Sequence, residues 1–455
     1  MGSISNLHLS RIGDLKEALT GSRTATFVWL CNFEVEDAWS KGFTGLPGGG
    51  ISEANLLVQR MEEQGILIAE PGDYVITGQA IDPEFLSYLD RCGLGLAEQI
   101  VVGNTDGKPT NAAVLDSPAV LAELRSLAKC GAYLMPMGVS GVEETIAAAT
   151  GLRLAGPPSS VCVTVNSKIY SRRLTDRLGL RPIAGRACET VDALRSALLT
   201  DPCGPYPLIV KDAYGVSGKG LLVLRSPDAA AGLLRMVERR AERRGSDALH
   251  VVVETFLEKR FDLNYQITVS RTGQVTFDFV KRAVTEGGVH KGHVIPAGLT
   301  ARHYDEIRDA GLRIGAALHG DGFFGVAGVD ALLDAEDVVR PVLEINARLN
   351  MSTYQTRVLE RFSHSQGHAQ AQQFNVHVDG ASVPFSRILD VFGSLPTVPV
   401  DGEGVLVTCF GTVNAFAGRK ESYDGRLYVM LFGRSAERLQ SLEFKVAQSL
   451  SVLSK

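Results

Sequence analysis

The segment Val342 to Ser352, VLEINARLNMS, constrains the fold more than any other stretch of the chain. In an extended backbone successive side chains alternate, so Glu344, Asn346, Arg348 and Asn350 share one face while Leu343, Ile345, Ala347 and Leu349 share the other. One face is chemical and the other belongs in a core. The preceding apolar run, Phe323 to Leu333, holds a single acid, Asp330, and the polar stretch Asp334 to Arg340 can reverse the chain between the two. A turn centred near Asp337 sets Asp330 opposite Glu344. Two carboxylates and the Asn346 amide oxygen then converge from adjacent strands, a hard-oxygen set suited to Mg2+ carrying phosphate oxygens. Facing carboxylates repel unless a cation lies between them or one is protonated. Arg348, on the same face, is placed to orient a carboxylate or to neutralise charge on a transferred phosphoryl group; a surface salt bridge is the alternative.

A second segment, Pro207 to Leu224 (PLIVKDAYGVSGKGLLVL), reads as an apolar strand ending in Lys211, a glycine-rich loop, and a second apolar strand. Gly215, Gly218 and Gly220 let backbone N–H groups approach a ligand, and Lys211 and Lys219 supply positive charge. A triphosphate is the expected guest; a purely structural glycine-rich turn is the other reading. A Walker A loop is excluded, because Ala213 stands where its first glycine belongs, Gly220 follows Lys219 in place of Ser or Thr, and no helix follows.

The 455 residues predict about three packed domains at roughly 100 to 200 residues each. Residues 1–160 alternate strands (Thr26–Cys31, Gly65–Ala69, Gln99–Val102) with helices, as an open α/β layer does. Gly45 to Gly50 (GLPGGG) precedes a predicted helix Ser52–Gln64 with Ser52 as N-cap, and is either an anion site or a plain connection. Residues 161–362 mix hairpins and helices, with the phosphate hairpin in a lobe spanning about 168–253 and the metal strand in one spanning about 254–362. A basic helix, Ala230–Arg244, reads as a solvated face. Ser363 to Gln373 reads as a linker or exposed helix end, with His364 and His368 lacking a third metal ligand. Residues 363–455 hold strands (Val405–Phe410, Leu427–Phe432) and a closing helix, Ser435–Leu450, as a small α+β domain. The net charge of −5 argues against nucleic acid as a partner. The absence of a long apolar run or a leader-like N-terminus predicts a cytoplasmic protein with no membrane partner. Seven scattered cysteines, never C-x-x-C, indicate neither a disulfide framework nor a zinc site.

Taken in order, Lys211 with its hairpin, Glu254 to Leu257 (ETFL) ending an apolar strand, Asp330, and Glu344-x-Asn346-x-Arg348 resemble the ATP-grasp superfamily over roughly Val161 to Gln355. The resemblance implies an α/β pre-ATP-grasp domain ahead of a two-lobed grasp of α+β type. Carried over residue by residue, it implies that Lys168 and Lys211 contact nucleotide phosphates and that Gly215, Ser217, Gly218, Lys219 and Gly220 close over them. Glu254, Thr255 and Leu257 would line the adenine hinge, and Asp262 would reach the ribose. Asp330, Glu344 and Asn346 would hold Mg2+, with Arg348 facing an acyl phosphate. The loop within Phe277 to Ala297 adds Lys281 and Arg282, ahead of His290, Lys291 and His293, as cations for the γ-phosphate or donor carboxylate; exposed loop charges are the alternative. Gly287 and Gly288 make that loop flexible. The Asn350-Met351-Ser352 continuation is similar to that of the peptide ligases of pheganomycin biosynthesis. That likeness implies an amino-acid-like, guanidino-bearing donor and a peptide N-terminus as acceptor.

The expected activity is therefore ATP- and Mg2+-dependent ligation of a small carboxylic or amino acid to an amino-acid or peptide amine. It proceeds through an acyl phosphate and releases ADP and phosphate, with Arg348, Lys211 and Arg282 at the reacting atoms; a homodimer is compatible with this reading. The competing classes are an amino-acid or dipeptide ligase of the same fold, a phosphotransferase, and an ATP-binding module without turnover.

Overall fold

The computed structural model describes residues 12–47, 54–103, 105, 107–215, 220–286, 289–363, 367–380 and 382–454. Five short runs, β1 (Phe27–Leu30), β2 (Tyr74–Thr77), β3 (Glu98–Val101), β4 (Tyr133–Pro136) and β5 (Arg153–Leu154), pair in parallel in the order β3-β2-β1-β4-β5. Parallel strands need both faces covered. Phe27, Trp29 and Val75 accordingly enter one core, and Val28, Leu30 and Ile76 another. Asp73, 1% exposed at the approach to β2, ties this layer together. It accepts hydrogen bonds from Lys16 Nζ (2.8 Å), the Phe27 N–H (2.9 Å) and Trp29 Nε1 (3.1 Å).

Gly65–Ala69, expected as a strand, is helical instead. The helix Ala54–Arg60 passes through a 3-10 turn, Met61–Gln64, into a final turn at Gly65–Ile68. A short apolar run buried on all sides carries no period that separates helix from strand. Gly65 explains the close packing there, since a Cβ would lie 2.8 Å from both Cys31 Sγ and Val75 Cγ1. The proposed cap Ser52 and residues Gly48 to Gly50 lie outside the described residues.

β6 (Gly185–Thr190), β7 (Leu208–Asp212), β8 (Leu221–Leu224) and β9 (Ala248–Thr255) form an antiparallel sheet ordered β6-β9-β7-β8, which contains the predicted hairpin. The remaining strands build one eight-stranded sheet. They are β10 (Lys259–Val269), β11 (Val275–Glu286), β12 (Val289–Ile295), β13 (Gly325–Asp334), β14 (Val339–Asn346), β15 (His368–Asp379), β16 (Gly404–Cys409) and β17 (Ser422–Gly433), in the order β14-β13-β10-β11-β12-β15-β17-β16. The segment after residue 363 thus extends the sheet that carries the metal strand rather than making a sheet of its own. Its start also corrects the linker expected over Ser363–Gln373, because β15 pairs with β17 from His368↔Gly433 to Asp379↔Ser422. Its buried positions are Ala369, Gln370, Ala371, Val376 and Val378, so burial changes parity between Ala371 and Val376 and no single alternation runs along the strand. His364 lies outside the described residues. Among those described, no three His, Cys, Asp or Glu side chains are grouped for a metal, and no helix is long and apolar enough to cross a membrane.

Asp73→Ala leaves the Phe27 N–H and Trp29 Nε1 without their buried acceptor and Lys16 with Glu70 alone. It is expected to lower the melting temperature by about 5–10 °C, the size expected for breaking a buried charged network in a domain of this size. Differential scanning fluorimetry reads this directly; a shift of under about 2 °C would deny Asp73 its organising role.

Candidate active site

The reversal at Asp337 is observed, with φ of 63° at that residue, and it sets the register β13·β14 as Gly328↔Asn346 and Asp330↔Glu344. β10 continues the row with Asn264↔Asp330, and β11 with Lys281↔Asn264. Directly paired residues share a face, so Lys281, Asn264, Asp330 and Glu344 form one line across four strands. Asn264 Nδ2 donates to Asp330 Oδ1 (2.8 Å) and Asn346 Nδ2 to Asp330 Oδ2 (3.2 Å). Burial raises the pKa of both acids above the ordinary carboxylate value; Lys168 opposes this at each, while the charge of Asp330 adds to it at Glu344.

Lys168 is the nearest counter-charge. Its Nζ lies 2.7 Å from Glu344 Oε1 and donates to the Gly215 carbonyl at 2.8 Å, joining the metal strand to the base of the phosphate hairpin. It is the first residue of the helix Lys168–Leu178, capped by Ser167. A cation there opposes the helix dipole, a local cost of about 0.3–1 kcal/mol that its two partners offset. The same helix touches both sheets: Ser171 Oγ accepts from the Ile345 N–H (3.0 Å), and Arg172 Nη1 lies 3.4 Å from Glu254 Oε1. Ser217, Gly218 and Lys219, at the hairpin tip, lie outside the described residues. Gly220 closes the hairpin with φ of 75°, where a Cβ would meet Asp212 Oδ2 at 2.5 Å. Of the GLPGGG loop, Leu46 donates its N–H to Asp212 Oδ1 (2.5 Å), so this loop runs beside the hairpin.

Lys211 Nζ lies 2.6 Å from Glu254 Oε2, the Glu254 side chain buried and that of Lys211 partly so. The Glu254 carboxylate, expected at the adenine hinge, is thus held between Lys211 and Arg172. The hinge backbone is partly engaged, with the Thr255 N–H on the Ala184 carbonyl (2.8 Å) and the Phe256 N–H on that of Pro207 (2.9 Å). Leu257 is half-buried beyond them, and Asp262 Oδ2 lies 2.5 Å from Lys259 Nζ.

Arg348 leaves the strand, because β14 ends at Asn346. Its guanidinium contacts Asn346 Oδ1 (3.2 Å) and Asn350 Oδ1 (3.4 Å) and pairs with Glu36, a residue of the short helix Val35–Trp39 after β1. The two loop cations separate by strand parity. Lys281 lies on the metal row, 0% exposed, its Nζ 3.4 Å from His293 Nε2, and burial lowers its pKa well below the ordinary value. Arg282 is turned to the opposite face, paired with Leu263 and lying 5.1 Å over the Phe261 ring, which corrects its expected place among the reacting atoms. Gly287 and Gly288 lie outside the described residues, as does the His290 side chain. Sequence reading missed Asn264, Arg172 and Glu36. Asn264 joins the row only through the β10·β13 register, and Arg172 and Glu36 through tertiary approach, so none of the three had a signal in the sequence alone.

The donor set fits a hard divalent cation: two in-register carboxylates and an amide oxygen, against buried like charge that a cation relieves. Because burial raises the pKa of Asp330 and Glu344, the folded chain holds their protons to higher pH than the unfolded one, and stability contributed by these groups falls as pH rises through that range. Magnesium competes with those protons. The melting-temperature gain from ADP with Mg2+ is therefore expected to be larger at about pH 8 than at about pH 5, and Glu344→Gln to shrink that difference. A pH difference unchanged by Glu344→Gln would contradict the assignment.

The pre ATP-grasp domain model matches residues 62–152, and that of the carbamoyl-phosphate synthase L chain, ATP binding domain, matches residues 168–358. The [butirosin acyl-carrier protein]–L-glutamate ligase of Niallia circulans is 24% identical over 331 residues, 72% of this chain and 73% of that protein. The carbamoyl phosphate synthase large chain of Xylella fastidiosa is 28% identical over 206 residues, 44% of this chain but 18% of that protein. Among solved structures, a biotin carboxylase–β,γ-ATP complex from Campylobacter jejuni superposes with a TM-score of 0.55 at 13% identity, covering 88% of this chain and 93% of that one. Family and relatives together support ATP-dependent carboxylate–amine ligase activity. With a pre-ATP-grasp layer, a hinged phosphate hairpin and a metal strand in the expected order, the chain belongs to the ATP-grasp superfamily.

Proposed function

We propose that the chain is an ADP-forming ligase that converts a carboxylate to an acyl phosphate and passes the acyl group to an amine. The observation that carries this reading is the Lys168 bridge between the hairpin base and Glu344, with Arg348 at the open end of the same site. Lys168 and Lys211 bind the phosphates of ATP, and Gly215 to Gly220 cover them. Asp330, Glu344 and Asn346 would hold Mg2+, which would supply neutralising charge for the phosphates. Arg348, exchanging Glu36 for the donor, orients the carboxylate for attack on the γ-phosphate, because a guanidinium grips a carboxylate in two-point fashion. The acyl phosphate provides the leaving group that a free carboxylate lacks, so the amine attacks directly and no side-chain nucleophile is required. The state of the buried thiols agrees: burial pushes the Cys162 pKa up to about 12 and raises that of Cys31 further.

The donor is an amino-acid-like acid, and the acceptor is the N-terminal amine of a peptide, in the assembly of a natural product. The relative whose name specifies L-glutamate and the butirosin acyl-carrier protein supports the amino-acid donor. A screen of amino acids and short peptides in pairs, read by ADP and phosphate release with mass detection of product, is expected to show turnover only with both partners present. An 18O-labelled donor carboxylate should leave one label in inorganic phosphate. AMP and pyrophosphate, or a stable phosphoester, would overturn the reading. Glu344→Ala and Asn346→Ala should each slow ADP formation by about a hundredfold or more, the scale of losing a group that stabilises transition-state charge.

A further inference from the structure

The hairpin lobe, β6 to β9 with the helix Pro227–Arg244, has a core of its own that runs from Cys188 to Val253. Among the described residues, one apolar side chain from outside the lobe packs against that core, that of Leu46. Leu46 belongs to a strap that leaves the pre-ATP-grasp layer after the short helix Val35–Trp39. The root of the strap is fixed: Trp39 is 2% exposed, and its Nε1 donates to the Val139 carbonyl (2.9 Å). Phe43 to Leu46 then all contact the lobe. Phe43 packs its ring on Tyr214 and His250, at centroid distances of 4.6 and 4.9 Å. The Thr44 N–H donates to His250 Nδ1 (3.3 Å), and the Thr44 carbonyl accepts the His250 N–H (2.7 Å). Arg244 donates to the Thr44 hydroxyl (2.8 Å), Arg240 to the Gly45 carbonyl (3.0 Å), and the Leu46 N–H to Asp212 Oδ1 (2.5 Å). A connecting segment whose backbone polar groups are met by another lobe is a clasp rather than a loose loop.

What lies behind the clasp gives it a consequence. Lys168, Glu254 and Asn346, assigned above to the nucleotide and its metal, are each less than a tenth exposed. A guest the size of ATP therefore reaches them only when the lobe swings away from the metal strand. Lys168 spans the mouth with one ion pair and one hydrogen bond. The clasp adds five hydrogen bonds, the Phe43 ring contacts and the Leu46 side chain, and it ties the lobe to a layer that the hinge after β9 does not move. We propose that residues 43–46 form a latch that holds the hairpin lobe shut over the nucleotide site, so that nucleotide enters and leaves at the rate at which the latch opens. Because the free and the bound forms share the latch, its strength cancels from the affinity and stands in both rate constants. That the guest is a nucleotide rests on the ligase reading; that the strap restrains the lobe does not.

Two measurements separate the latch from its guest. In the nucleotide-free chain, spin labels on the exposed Cys130 of the pre-ATP-grasp layer and on Arg239→Cys of the lobe, with Cys203→Ser, report the position of the lobe by pulsed electron paramagnetic resonance. The parent should give one narrow distance distribution, and Phe43→Ala/Leu46→Ala a broad one that reaches longer distances. Phe43 is exposed and Leu46 half-buried, so this pair of substitutions opens the latch without emptying a core. In stopped flow with N-methylanthraniloyl-ADP and Mg2+, the same variant should raise both the association and the dissociation rate constants about tenfold, while Kd stays within about threefold. Phe43→Tyr, which keeps the ring, should retain the parent rates. A distance distribution unchanged by the double substitution would overturn the latch. So would faster dissociation alone with a matching loss of affinity, which would make the strap part of the wall of the binding site. If the parent binds no labelled ADP while the distances respond, the nucleotide reading fails and the restraint on the lobe stands.

Discussion

The contact on which the site depends is that of the Lys168 ammonium with the Glu344 carboxylate and the Gly215 carbonyl. It joins two sheets that are otherwise connected through the hinge after β9, and it does so from the first turn of a helix that also binds β14 through Ser171 and β9 through Arg172. A buried ion pair gains little on its own, because desolvation consumes most of the attraction. Here it fixes where a cation stands relative to a row of acids, which is a positional rather than a stabilising role.

The same logic extends to the other lobes. Arg348 and Glu36 bring the end of the metal strand against the pre-ATP-grasp layer, and the largest core runs from that layer through the Tyr354–Phe362 segment to β15, β16 and β17. The C-terminal strands therefore do more than trail behind the catalytic lobe. They extend its sheet, and the turns after β16 line a cavity together with Glu62 and Glu63 beneath the carboxyl end of β2. Open parallel sheets place ligands at the carboxyl ends of their strands, and both Glu36 and the cavity lie there.

How far the sequence disclosed this depended on whether a local pattern carried the information. Strand parity gave the facing Asp330↔Glu344 pair and the reversal at Asp337, because alternation and a polar turn are short-range facts. The same parity, followed through β10 and β11, separates Lys281 from Arg282, but only once the register of strands distant in sequence is known. Gly65–Ile68 was misread because four buried apolar residues have no distinguishing period. β15 was obscured because burial changes parity along it, with Gln370 buried between Ala369 and Ala371. The partners Glu36 of Arg348 and Lys211 of Glu254 are products of tertiary approach, with no signature within reach of a sequence window.

The central claim, that Lys168 couples the hairpin to the metal strand in a nucleotide site, is tested most directly by calorimetric titration of ADP with Mg2+ into Lys168→Met. With the variant folded by circular dichroism, affinity should fall by about a hundredfold, as loss of a buried cation facing phosphate and carboxylate requires. Affinity within about twofold of the parent chain would contradict the account.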